Sequence, residues 1–156
     1  MNNQRRILLK GSLAASAVGV AVGSGLLTPR MVLAAWPEEA FGAKTLGDAV
    51  KALTGADEIT ESEDVKLGVP EIAENGAVVP VKVSTSIEGV ESISVIAVNN
   101  PSPLIASIDL GEGAEGFVST RIKMGKSGDV VAVVKANGKL YSAKKEVKVT
   151  IGGCGG

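Results

Sequence analysis

From about residue 64 onward, apolar and polar side chains take turns along the chain. Val79, Val81, Val83, Thr85 and Ile87 alternate with Pro80, Lys82, Ser84 and Ser86, and Val118, Thr120, Ile122 and Met124 alternate with Ser119, Arg121 and Lys123. A period of two places successive side chains on opposite faces of an extended chain, so these stretches predict strands with one dry face and one wet face. Residues 93–98 and 130–134 are nearly continuous apolar runs and predict central strands. The last alternation sets Val147, Val149 and Ile151 against Glu146, Lys148 and Thr150, and it stops at Gly152. Turn signals separate the runs: Asn75-Gly76, Asn100-Pro101, residues 111–116, residues 125–128 and Asn137-Gly138. Each Asn-Gly pair predicts a two-residue type I′ hairpin, which needs φ > 0 at both central positions.

Before the strands, the period is helical. Thr45-Leu46-Gly47-Asp48 matches a helix-start signal in which hydroxyl and carboxylate satisfy exposed amides. Leu46, Ala49, Val50 and Leu53 then fall on one face, and Gly55 is a stop. The expected fold is all-β: an antiparallel, immunoglobulin-like β-sandwich with a short N-terminal helical segment. No βα alternation argues for a parallel sheet. Aromatics are few (Trp36, Phe41, Phe117 and Tyr141), so the core has to come from Val, Ile, Leu and Ala.

The first segment reads as an address. Arg5-Arg6 precedes a mildly apolar stretch from Gly11 to Leu27, and small residues follow around Ala34-Ala35. This pattern resembles a twin-arginine export signal, expected to be cleaved near residue 35. Five glycines and two serines interrupt the apolar stretch, which argues against a membrane anchor. The expected organisation is a signal over 1–35, a helical lead-in over 36–62, a sandwich over 63–151 and an arm over 152–156. The expected location is an oxidising periplasm, with no membrane association after cleavage.

That location gives weight to Gly152-Gly153-Cys154-Gly155-Gly156, which holds the only cysteine. Four glycines around one thiol supply no side-chain shell and predict a flexible arm. A lone cysteine in an exported chain has no internal mate, which leaves intermolecular pairing or a free reactive thiol. The sequence contains no histidine, so a Cys-His nucleophilic pair cannot be built, nor can the common His or multi-Cys metal sites. No strand-loop-helix phosphate cradle and no basic-aromatic pattern for nucleic acid is present. A cofactor-free carrier that is not itself an enzyme is expected, with Cys154 as the attachment point. Charge is uneven: residues 36–115 hold 4 basic and 15 acidic side chains, and residues 116–156 hold 8 basic and 2 acidic. Lys144, Lys145 and Lys148 are thereby candidates to attract anionic sulfur species toward the thiol.

Taken together, the leader, the helix, the sandwich and the glycine-flanked cysteine resemble the SoxY family. The stretches that carry the resemblance are Asn99-Asn100-Pro101-Ser102-Pro103-Leu104, Ser119-Thr120-Arg121-Ile122-Lys123-Met124 and the segment from Glu146 to Gly156. The resemblance implies a sulfur carrier of thiosulfate oxidation whose carrier cysteine is Cys154 and whose arm comprises Gly152, Gly153, Gly155 and Gly156. It implies a second β-sandwich subunit, SoxZ, and transient partners. These are a c-type cytochrome pair, SoxAX, that conjugates thiosulfate, the hydrolase SoxB, and a sulfane dehydrogenase. The alternative is an exported structural domain that forms an intermolecular disulfide through Cys154.

Overall fold

The computed structural model describes residues 37–55 and 58–151. Two helices open the chain, α1 (Glu38–Gly42) and α2 (Leu46–Thr54). Nine strands follow: β1 (Thr60–Glu61), β2 (Val65–Gly68), β3 (Ile72–Ala73), β4 (Val79–Thr85), β5 (Val90–Ala97), β6 (Leu104–Asp109), β7 (Phe117–Ile122), β8 (Gly128–Ala136) and β9 (Lys139–Val149). They form a six-stranded sheet, ordered β1-β9-β8-β5-β6 with β3 also beside β9, and a three-stranded sheet ordered β2-β4-β7. The fold is all-β with a short N-terminal helical segment, as the alternation predicts.

Between the sheets lies the main core. Val79, Val81 and Val83 of β4 face Ile93, Val95, Val130, Ala132, Val134 and Val147 of the larger sheet. The smaller sheet turns its other side to water, so β4 reads buried, exposed, buried, exposed. The larger sheet is covered on both sides. Ile96, Leu104, Val131, Val133 and Leu140 form a second apolar cluster with Ala40, Ala49 and Val50 of the two helices. This double burial is why residues 130–134 carry no polar position.

Helix α2 starts and stops where its residues dictate. The Thr45 Oγ1 accepts from the Asp48 amide at 3.1 Å, and the Gly55 amide donates to the Lys51 carbonyl at 2.8 Å with Gly55 in the left-handed region at φ 71°. The five-residue α1 is too short to leave a periodic signature and was not expected.

Of the two expected Asn-Gly hairpins, one forms. Asn137 and Gly138 adopt φ 52° and 71° and join the Ala136–Lys139 pair of β8 and β9. Asn75-Gly76 does not make a hairpin, because neither residue takes positive φ. Instead the Asn75 Oδ1 accepts from the Ala77 amide at 2.8 Å, a local turn that the side chain closes. A second departure concerns strand direction. The long ladders are antiparallel, but β1 and β3 pair with β9 in parallel, each over two residues. Chain direction explains this: it leaves the edge of β9 after β1, crosses to the smaller sheet as β2, and returns to the same edge as β3.

Candidate functional site

β9 is the element that leads to the candidate residues. Its neighbours occupy both edges: β8 runs along one side for nine residue pairs, and β1 and β3 sit on the other. Val147 is its last fully buried side chain; Val149 is half-buried and Ile151 is exposed. The strand itself ends at Val149. The alternation predicts that Ile151 anchors the chain by burial, and this is corrected: its side chain is 62 % exposed.

The chain beyond β9 is held by its backbone. The Lys148 amide donates to the Glu71 carbonyl at 2.9 Å and the Thr150 amide to the Ala73 carbonyl at 3.1 Å. The Thr150 hydroxyl adds a bond to the Glu74 carbonyl at 2.9 Å, and the Gly76 amide donates to the Ile151 carbonyl at 2.8 Å. On the opposite side, the Val149 amide donates to the Ser127 Oγ at 2.8 Å. Residues 148–151 are therefore fixed by main-chain bonds to two separate segments, 71–76 and 127. Each satisfied bond contributes about 1 kcal/mol, so together they oppose fraying without burying a side chain.

A second layer fixes the clamp. The Asn99 amide group donates to the Ser127 carbonyl at 2.8 Å. Asn100 reaches both ways across the same loop, donating to the Lys123 carbonyl at 2.7 Å and accepting from the Gly125 amide at 3.0 Å. The Met124 amide donates to the Gly76 carbonyl at 2.7 Å, which ties the loop to the 75–78 turn. Asn99, Asn100, Ser127, Asn75 and Thr150 are thus positioning residues that sequence reasoning missed. Asn100-Pro101 was legible only as a turn; the distance in sequence between residues 99, 127 and 149 hides the connection.

Cys154 and Gly152, Gly153, Gly155 and Gly156 lie outside the described residues, as does the expected signal over 1–35. The three candidate lysines do not form one group. Lys144 and Lys145 pair with Val131 and Val130 in mid-strand and point to opposite faces, so only Lys148 stands at the end that leads to Cys154. The other end of β9 carries the resolved pKa perturbation. There the Lys135 ammonium, 2.9 Å from the Glu91 carboxylate, and the Gly138 amide hold the Glu91 pKa below the ordinary carboxylate value.

The fold and the clamped last strand define a small β-sandwich that presents the segment following β9. A family model, the sulfur oxidation protein SoxY, matches residues 50–154, from the second helix through the cysteine. The solved sulfur carrier protein SoxY from Chlorobium limicola f thiosulfatophilum is 48% identical, with a TM-score of 0.63, over 69% of this chain and 97% of that one. A superoxide reductase (neelaredoxin) from Ignicoccus hospitalis is 21% identical with a TM-score of 0.50, over 58% of this chain and 94% of that one, which is a likeness of fold alone. No curated protein gives a significant match. The chain belongs to the SoxY family, and its role is that of a carrier in sulfur oxidation within a Sox system.

Proposed function

We propose that Cys154 holds inorganic sulfur intermediates covalently while separate periplasmic enzymes act on them. The observation that carries this reading is the clamp on residues 148–151, followed after two glycines by the one thiol of a SoxY-family chain. A carrier needs a fixed root and an unhindered tip. Residues that bond Thr150 and Ile151 to the body supply the root, and the glycines on either side of Cys154 leave the tip without bulk.

The chemistry follows from the thiol. The Cys154 thiolate forms a sulfur–sulfur bond with the outer sulfur of thiosulfate, giving Cys–S–S–SO3⁻, and two electrons pass to the cytochrome partner SoxAX. Water then attacks the sulfonate sulfur in the hydrolase SoxB. That step releases sulfate and two protons and leaves a persulfide on Cys154, which the sulfane dehydrogenase oxidises further. Free cysteine has a pKa of about 8.5, so thiolate formation at neutral pH falls to the docked partner. Export through Arg5-Arg6, pairing with SoxZ and the absence of any bound cofactor belong to the same proposal.

Reconstituted thiosulfate oxidation tests it. Cys154→Ser is expected to abolish sulfate production. Replacing Gly153 and Gly155 with proline is expected to leave the domain folded and to slow turnover, because proline fixes φ and adds bulk. Undiminished sulfate production by Cys154→Ser rejects the carrier role. Disulfide-linked dimers as the sole thiol product favour the structural alternative.

A further inference from the structure

Four large apolar side chains are exposed among the described residues: Ile72 at 58 %, Val78 at 53 %, Ile151 at 62 % and Phe117 at 49 %. Three of the four belong to one end of the sandwich. Ile72 lies beside Lys148 in the β3–β9 register, and Ile151 bonds through its carbonyl to Gly76, in the turn that also holds Val78. Phe117 is at the far end of the smaller sheet, opposite Ser84, whereas Val78 adjoins Val79 at the near end of the same strand. Five residues of strand, or roughly 17 Å, separate those two rows. Concentrations of exposed apolar surface on a small domain mark contact sites.

The tether says what covers this one. Cys154 follows Ile151 by three residues, and three residues reach at most about 11 Å. A protein that acts on sulfur held at Cys154 in an active site below its own surface must therefore bring the rim of that site against the clamp. We infer that Ile72, Val78 and Ile151 form an apolar collar on which the channel mouth of each Cys154-processing enzyme seats, with the side chains covered in every cycle. The clamp explains how such a collar is tolerated. Backbone bonds hold residues 148–151 in place, so their side chains are free to face a partner. The flanking charges are of both signs, Glu71 and Glu74 with Lys148, all exposed, so the surface offers no single-sign field for docking.

This inference rests on the carrier reading, and the test separates the two. Mature protein is loaded without any enzyme, using tetrathionate: the thiolate displaces thiosulfate and leaves Cys–S–S–SO3⁻. Sulfate release by the hydrolase is then followed for the wild type, for Ile72→Ser with Val78→Ser, and for Phe117→Ser. The collar predicts that the double variant loads normally and loses at least about tenfold in kcat/KM through KM, with kcat within about twofold. Phe117→Ser behaves as wild type. Amides of residues 72–78 in the wild type also exchange more slowly once the hydrolase is added, a readout that needs no variant. Unchanged kcat/KM in the double variant, or an equal loss in Phe117→Ser, overturns the collar while leaving the carrier intact. Failure of the wild type to take up the adduct overturns the carrier reading and the collar with it.

Discussion

The two ends of β9 are secured in opposite ways. At its start the chain turns through Asn137 and Gly138 in a two-residue hairpin, and Leu140 is buried beneath the helices. Polar side chains finish that end: Asn137 donates to the Glu88 carbonyl at 2.9 Å, and Glu91 accepts from Gly138 and pairs with Lys135. At its other end, roughly 33 Å away along the strand, burial stops at Val147 and main-chain bonds continue to Ile151. The first end uses side chains to close the fold. The second uses backbone to hold the chain and leaves Ile151 and its neighbours outward. A root for a tethered thiol requires the second arrangement, because a partner has to reach what the root presents.

Removing the last deep side chain at the arm end has the largest effect. Val147 is fully buried among the facing valines, and Val147→Ala is expected to cost about 2 kcal/mol in denaturant unfolding. At the hairpin end, Gly138→Ala forces a Cβ into the left-handed region at φ 71° and is expected to cost about 1.5 kcal/mol. Ser127→Ala breaks the 2.8 Å bond from the Val149 amide and is expected to cost about 1 kcal/mol, with faster exchange of that amide as the local signature. Ile151→Ser tests the contrast from the other direction. With its side chain exposed and its carbonyl doing the holding, stability is expected to change by less than about 0.5 kcal/mol. A loss as large as that of Val147→Ala means that burial secures Ile151 after all.

The smallest effect is electrostatic. Because the folded-state pKa of Glu91 is lowered, its contribution is present above the unfolded-state pKa and disappears as pH falls through the folded value, below the reference 4.5. The difference in Tm between wild type and Glu91→Gln is therefore expected at neutral pH and absent in strong acid. A difference that persists at about pH 2 contradicts the assignment.

How much of this was readable beforehand depended on how local the cause was. Alternation in β4 and β7, the Thr45 start and Gly55 stop of α2, and the Asn137-Gly138 hairpin each depend on neighbours a few residues away, and each was legible. Asn75-Gly76 carries the same dipeptide as the working hairpin, yet β3 must pair in parallel with β9, which leaves no second antiparallel strand for it to join. The strands β1 and β3 are two residues each, too short for any period to register. At the candidate site, Cys154 and its glycines were conspicuous by composition, whereas the clamp was not. Asn99, Ser127 and Val149 meet across gaps of more than twenty residues, and only the folded chain brings them together. The exposure of Ile151 was misread for a related reason: alternation reports the direction of a side chain but not where the opposing sheet ends.

The central claim is that cargo is held on Cys154, and the intact mass of the mature chain tests it most directly. After incubation with thiosulfate and the oxidising partner, the wild type is expected to gain a discrete S2O3 adduct that a reducing thiol removes, and Cys154→Ser is expected to gain none. A wild type that stays unmodified, or a Cys154→Ser chain that carries the same adduct, contradicts the account.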